Sequence, residues 1–304
     1  MIKVLSVYDY TKCELPKALF EIKVSQKDID AMIKKAAEHF LTIEDQDGQI
    51  IKGDIVAVKI DSSDVLLNSE IERFVVGKGF FSKEIEQALI GKKKGDKFSL
   101  MVDGSSADIT VLWVRRRIVP ELNDEMAASL GIEEVTNRDE YEQYATSELE
   151  NEDKEKKQNA IWLIISKKLA GESKFEIDEK EIDARYKKDL AYLTKELGDD
   201  FEEFMEVKYH GKTLEESKKK FKEQIINDEK LVAIATPLAE EDGVEFTEEE
   251  YNEMIDEMVN GEYTKEELQE SMSYEDYVDQ QLQGYLQAKV LEYFDDRFVT
   301  TIVE

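Results

Sequence analysis

The spacing of apolar residues changes twice along the chain, and each change predicts a different kind of structure. Ile29, Met32, Ile33, Ala36 and Phe40 recur every three or four residues behind Ser25 and Asp28, which predicts a capped amphipathic helix over 26–40. Between residues 46 and 118 the spacing shortens. Residues 54–60, 72–76, 97–102 and 108–114 are short runs rich in β-branched and aromatic side chains, bounded by Gly or Asp, and they predict strands. Asp103-Gly-Ser-Ser106 joins the last two as a tight hairpin, and residues 82–89, ended by Gly91, predict one short helix against the sheet.

After Pro120 helical spacing returns and persists. Starts are marked by Thr136 with Asp139, Thr213 with Glu216, Thr247 with Glu250, Thr264 with Glu267, Ser273 with Asp276, and similarly Asp178 with Glu181. Stops are marked by Gly131, Gly171, Gly198, Gly211, Gly243 and Gly261. Residues 137–170 predict a helix of about 50 Å, polar over its first two thirds, which is expected to project as an arm. Ile182, Tyr186, Leu190, Leu193 and Leu197 form one stripe. Phe221, Ile225, Leu231, Ile234, Ala235 and Leu238 form another, which Pro237 is expected to bend. The stripe of helix 26–40 is too large to leave exposed, so that helix is expected to pack on the helical domain with the sheet domain inserted between them.

Charge sharpens these boundaries. Residues 1–45 carry 7 basic and 8 acidic side chains, residues 46–118 carry 12 and 11, and residues 119–304 carry 22 and 52. The division therefore reads as 1–45, a strand, linker and helix; 46–118, the sheet domain; and 119–304, the helical domain. A net charge of -30 argues against nucleic acid as a partner, because the field repels polyanions. With 41% hydrophobic residues the chain has enough for real cores. No apolar run approaches a membrane span, so no membrane partner is expected and a cytoplasmic location is. Removal of a signal peptide would leave an extracytoplasmic protein looking the same.

Catalytic patterns are scarce. One cysteine, Cys13, and two histidines, His39 and His210, read as structural, and no metal or other cofactor is expected. Gly77-Lys-Gly79 follows a strand without the third glycine or the lysine that a phosphate cradle needs. Lys92-Lys-Lys94 reads as a solvated turn, and Arg115-Arg-Arg117 as a charged strand end contacting the acidic helical domain.

Three runs, Lys52-Gly-Asp-Ile-Val-Ala-Val-Lys-Ile60, Phe74-Val-Val-Gly-Lys-Gly79 and Ile85-Glu-Gln-Ala-Leu-Ile-Gly-Lys-Lys-Lys-Gly-Asp96, resemble the FKBP-type prolyl isomerase domain of the trigger factor family. Val119-Pro-Glu-Leu-Asn-Asp-Glu-Met-Ala-Ala-Ser-Leu-Gly131 resembles the stretch leaving that domain. Ala160-Ile-Trp-Leu-Ile164, Lys212-Thr-Leu-Glu-Glu-Ser217 and Gly243-Val-Glu-Phe-Thr-Glu-Glu-Glu250 resemble its carboxy-terminal chaperone domain. The resemblance covers roughly residues 20–298 in order. It implies an α+β fold: a small antiparallel-sheet, FKBP-like domain inserted into an elongated all-α, SurA-like chaperone domain.

The resemblance also implies a function, an ATP-independent chaperone for unfolded or nascent polypeptides that works through a helical cradle. Phe201, Phe204, Met205, Met254, Met258 and Met272 are the candidate client-binding residues, since flexible apolar side chains adapt to many shapes. Nothing here matches the family's ribosome-binding domain with its basic loop, so direct ribosome docking is not expected, and a monomer is. The family's isomerase pocket is aromatic and apolar. Its positions fall here on Glu72, Phe81, Ser82, Ile85 and Ile109, and only Phe81 keeps a ring. A carboxylate and a hydroxyl would hold water there, so the pocket is expected to be degenerate. Two alternatives stay open: an active peptidyl-prolyl isomerase with an atypical pocket, and an extracytoplasmic helper of the SurA type or a signal-trimmed lipoprotein.

Overall fold

The structure, a computed structural model, describes residues 2–79, 81–259, 261 and 263–303. In chain order its elements begin with strand β1 (Ile2–Ser6), β2 (Glu21–Ser25), helix α1 (Gln26–Ala37) and β3 (Thr42–Asp45). Next come β4 (Ile55–Ser62), β5 (Ser69–Val75), α2 (Lys83–Leu89), β6 (Lys97–Val102) and β7 (Ser105–Ile118). Helices α3 (Asp124–Ser129) and α4 (Arg138–Glu172) follow, then β8 (Lys174–Ile177), α5 (Glu179–Leu197), α6 (Phe201–Tyr209) and α7 (Leu214–Asp242). The chain closes with α8 (Glu248–Met258), α9 (Lys265–Ser271), α10 (Tyr274–Phe294) and β9 (Val299–Val303). The class is α+β. No described helix is long and apolar enough to cross a membrane.

Contacts divide the chain into two compact units, one of residues 24–149 with 302–304, the other of residues 1–23 with 150–301. In the first, β7 is the spine of an antiparallel sheet. One of its edges pairs with β4, which in turn pairs with β5, and its other edge is shared by β6 and β3. Val102 faces Ser105 across the hairpin, so the loop is Asp103-Gly104, with φ of 48° and 86°. A positive φ at both loop positions matches the right-handed twist of the strands it joins. Val56, Val58, Ile60, Phe74, Ile109 and Val111 bury one face of the sheet against Ile85 and Leu89 of α2. A second cluster packs Ala36 and Ala37 of α1 against Leu122, Ala127, Tyr141 and Ala145. Strand β3, too polar to read from its pattern, is held by pairing Thr42–Asp45 with Arg115–Ile118.

Arg115 and Arg116 have their partners in and beside this sheet, in place of the expected contact with the acidic helical domain. Arg115 pairs with Asp45 at 2.8 Å and lies 4.7 Å from the Trp113 ring centre. Arg116 grips Asp54 with both prongs, Nε to Oδ1 at 2.7 Å and Nη2 to Oδ2 at 2.8 Å, and the Ile51 N–H also donates to Oδ2 at 2.9 Å. Burial works against charge on Asp54, yet these hydrogen bonds outweigh it and hold the carboxyl below its ordinary range.

The other unit is built from β1 and β8 paired antiparallel and from helices with three apolar clusters. Ile161, Ile165 and Leu169 of α4 pack with Leu231, Ile234 and Ala235 of α7 and with Leu286, Val290 and Phe294 of α10. Thr247, Thr264 and Ser273 all close full capping boxes as their spacing predicts. Others shift. At α4 the cap is Asn137, whose side chain accepts the Glu140 N–H, while Glu140, longer than Asp139, reaches back to the Thr136 N–H. Asp178 accepts from Lys180 in place of Glu181. Gly171 does not end α4, which runs on to Glu172. His210, with φ of 50°, ends α6 in the left-handed conformation, and Gly211 is needed for closeness: a Cβ there would lie 2.1 Å from Ser217 Oγ. On α7, Leu238 is exposed and Ala239 is buried in its stead.

Replacing Asp54 by Ala leaves Arg116 with the Gln49 carbonyl in place of its carboxylate and the Ile51 N–H without its acceptor, and the expected loss is about 3 kcal/mol by urea unfolding. Because the folded carboxyl is held low, its contribution is present above the unfolded value of about 3.9 and disappears as pH falls through the folded one. The wild-type minus Asp54→Ala difference should therefore shrink only in strong acid.

Candidate functional site

The five expected pocket residues end up in three kinds of place. Ile85 and Ile109 are 0% and 1% exposed, Ile109 being paired with Ile60 on one side and Phe98 on the other. Side chains with no accessible surface touch no ligand. Phe81 is half-buried and stacks on Phe74, ring centres 4.8 Å apart and planes at 19°. Glu72 is half-buried opposite Val58, two residues before Phe74 and on the same face of β5. Ser82 is a helix cap: its Oγ accepts the Ile85 N–H at 3.4 Å and donates to Glu84 at 3.0 Å. The sequence reading missed Phe74, although its alternation with Glu72 and Val76 points it toward the same face.

The glycine loop before Ser82 is a cradle for an anion, and the anion is built in. Glu86 of α2, 2% exposed, accepts from the N–H groups of Gly77 at 2.7 Å, Gly79 at 2.9 Å and Phe81 at 3.2 Å. Gly77 and Gly79 have φ of 81° and 71°, the left-handed conformation that turns successive N–H groups inward. Burial works against charge on Glu86, but the backbone donors prevail and hold its carboxyl below the ordinary range. The loop carrying Phe81 is thus shaped by a carboxylate seven to nine residues downstream of its glycines.

The candidate client residues are not gathered in one place. Phe201 and Met205 are buried, and with half-buried Phe204 they join Phe221 and Ile225. The Lys208 ammonium lies 5.2 Å from the Phe204 ring centre. Met254 and Met272 lie half-buried around Tyr251, Ile255 and Tyr277, and Met258 is 45% exposed outside both clusters. A third feature escaped the sequence altogether. Arg185 of α5 meets Glu229 of α7 at 2.9 Å and Asp276 and Asp279 of α10 at 3.0 and 2.7 Å.

A small antiparallel sheet with one helix, joined to a larger set of helices, defines the class, and comparison identifies the family. Residues 138–294, more than half of the chain, match the family described as bacterial trigger factor protein C-terminus. The chain belongs to the trigger factor family. It is 24% identical to the trigger factor of Halothermothrix orenii, over 93% of this chain and 69% of that protein. For the trigger factors of Shouchella clausii and Clostridium beijerinckii the identities are 24% and 26%, over 78% and 80% of this chain. It spans 59% and 61% of those two relatives' lengths. A solved structure described as "Promiscuous Substrate Recognition in Folding and Assembly Activities of the Trigger Factor Chaperone" is 18% identical with a TM-score of 0.49, covering 98% of this chain and 73% of that one.

Removing the Glu86 acceptor by substitution to Ala should destabilise the chain by about 2 kcal/mol and speed amide exchange at Gly77, Gly79 and Phe81, while Glu86→Gln, which keeps one acceptor oxygen, should lose less. The Glu86 contribution, like any with a depressed folded value, is present at neutral pH and lost as pH falls through that value.

Proposed function

We propose that the chain is an ATP-independent chaperone that binds unfolded or nascent polypeptides through its helical region, residues 119–304, while residues 46–118 form an FKBP-like domain with a degenerate isomerase pocket. The match of residues 138–294 to the trigger factor carboxy-terminal family carries this reading. Supporting it, Phe204, Met254 and Met272 keep accessible surface at the edges of small apolar clusters and Met258 is exposed outside them, and adaptable side chains suit clients of no fixed shape. Phe201 and Met205 would back that surface from beneath. The charge of -30 keeps such a surface soluble and opposes docking onto ribosomal RNA. A cytoplasmic monomer completes the proposal.

The pocket argument rests on Ile85 and Ile109, which are covered, and on Ser82, which is occupied as a cap. Prolyl isomerisation needs a site that prefers the twisted amide over the planar one. Losing about 4 kcal/mol of that preference slows turnover roughly a thousandfold. A second reading, an active isomerase, is favoured by one observation: the stacked Phe74 and Phe81 rings preserve an aromatic wall.

Two measurements separate these readings. An Xaa-Pro tetrapeptide assay is expected to give turnover near background, while the same protein suppresses aggregation of an unfolded client. Robust turnover abolished by Phe81→Ala would put the isomerase first, and absence of any aggregation suppression would remove the chaperone reading.

A further inference from the structure

Around Arg185, α5 is held to α7 and α10 by charge. The Arg185 side chain is 28% exposed, and besides its three contacts on those helices its guanidinium lies 3.7 Å from Asp189, one turn on along α5. Asp228 of α7 lines the same cavity of about 320 Å³ without being among the four carboxylates within 4 Å of Arg185. Other charges facing the cluster are Glu181 and Lys188 from α5, Lys208 from α6, Glu275 from α10 and the chain's amino-terminal charge, which acts on Glu229. Lys188 approaches Asp276 at 3.6 Å. Tyr192 and Tyr209 also line the cavity. Asp189, Asp228, Glu229, Asp276 and Asp279 thus crowd around one guanidinium, with Lys188, Lys208 and the amino-terminal charge as the further basic groups.

We propose that this cluster is a proton-operated latch, which takes up protons as pH falls from neutral toward the ordinary carboxylate range and thereby tightens the hold of α5 on α7 and α10. One guanidinium neutralises about one carboxylate, so the surplus negative charges repel one another across the helix contact, and a proton on any of them removes part of that repulsion. Burial, first among the causes, raises the carboxyls of Asp189, Asp228, Glu229 and Asp279 above their ordinary values. Asp276 behaves differently. Burial works against its charge too, but the Ser273 hydroxyl and N–H at 2.6 and 3.2 Å, with Lys188 and Arg185, hold it below the ordinary range. Asp276 therefore stays ionised as the partner of Arg185 while its neighbours take up protons. A raised folded value means that the folded state binds more protons than the unfolded one, so stability rises as pH falls from neutral toward the ordinary carboxylate range. For Asp276 the sign is opposite and its loss comes only in stronger acid.

The latch stands apart from the chaperone reading, because its test reads stability and not client binding. Thermal unfolding of the full chain between pH 8 and pH 5.5 compares wild type with Asp189→Asn/Asp228→Asn. A control, Glu253→Gln/Glu257→Gln, removes the same charge from exposed positions of α8. Wild type and control should gain about 4 °C on acidification, whereas the Asn pair should start higher at pH 8 and gain less than half as much. Amide exchange in α5, corrected for its intrinsic pH dependence, should slow about tenfold in wild type, as for one equilibrium displaced by one pH unit. It should slow far less in the Asn pair. Arg185→Met should lose most at pH 8 and recover part of the loss at pH 5.5. Equal gains in the Asn pair and the control, or an Arg185→Met loss as large at pH 5.5 as at pH 8, would overturn the latch.

Discussion

Backbone N–H groups are the counter-charges on which this acidic chain depends. With 71 Asp and Glu against 41 Lys and Arg, basic side chains cannot pair every carboxylate. The first turn of a helix offers donors without partners and the positive end of a dipole, and the chain places acids there repeatedly. Glu250, Glu267 and Asp276 close capping boxes, Glu140 and Glu216 reach back to the residue before the cap, and Glu86 draws three N–H groups of a glycine loop around itself. Negative charge that would otherwise oppose compaction is thereby used to order helix starts and a loop.

Many side-chain ion pairs are exposed, such as Lys3 with Glu176 and Lys156 with Glu152, but those of Arg116 and Arg185 are buried or half-buried. Arg116 serves one carboxylate with matched geometry, so Asp54 is held charged inside the sheet. Arg185 serves four at once, which leaves surplus negative charge in a partly desolvated place. At Asp54 the hydrogen bonds outweigh burial, whereas around Arg185 burial outweighs the shared arginine at Asp189, Glu229 and Asp279 but not at Asp276.

Apolar burial is divided in the same way. Among the described residues, two clusters lie within 24–149 with 302–304 and three within 1–23 with 150–301. Small clusters give low local stability at their edges, since little buried area has to be exposed to loosen them. In the clusters around Phe221 and Tyr251 those edges carry Phe204, Met254 and Met272, which suits the proposed binding of changeable clients.

The sequence by itself determined strands β4 to β7, the longer helices and most helix starts, because period and capping act over two to four residues, but not the short strands β8 and β9. The prolyl isomerase resemblance likewise directed attention to Phe81, Ile85 and Ile109, which do lie in one cluster. It did not reveal β3, whose polar residues have no apolar alternation and are ordered by the edge of β7. Nor did it reveal the carboxylate inside the glycine loop, or that Ser82 would be taken as a cap. Only the tertiary structure brought Arg185 to Asp279, 94 residues away, and Asp54 to Arg116, 62 away. Such pairs leave no local signature, since their contact depends on how whole helices and strands pack and not on the spacing of neighbours along the chain.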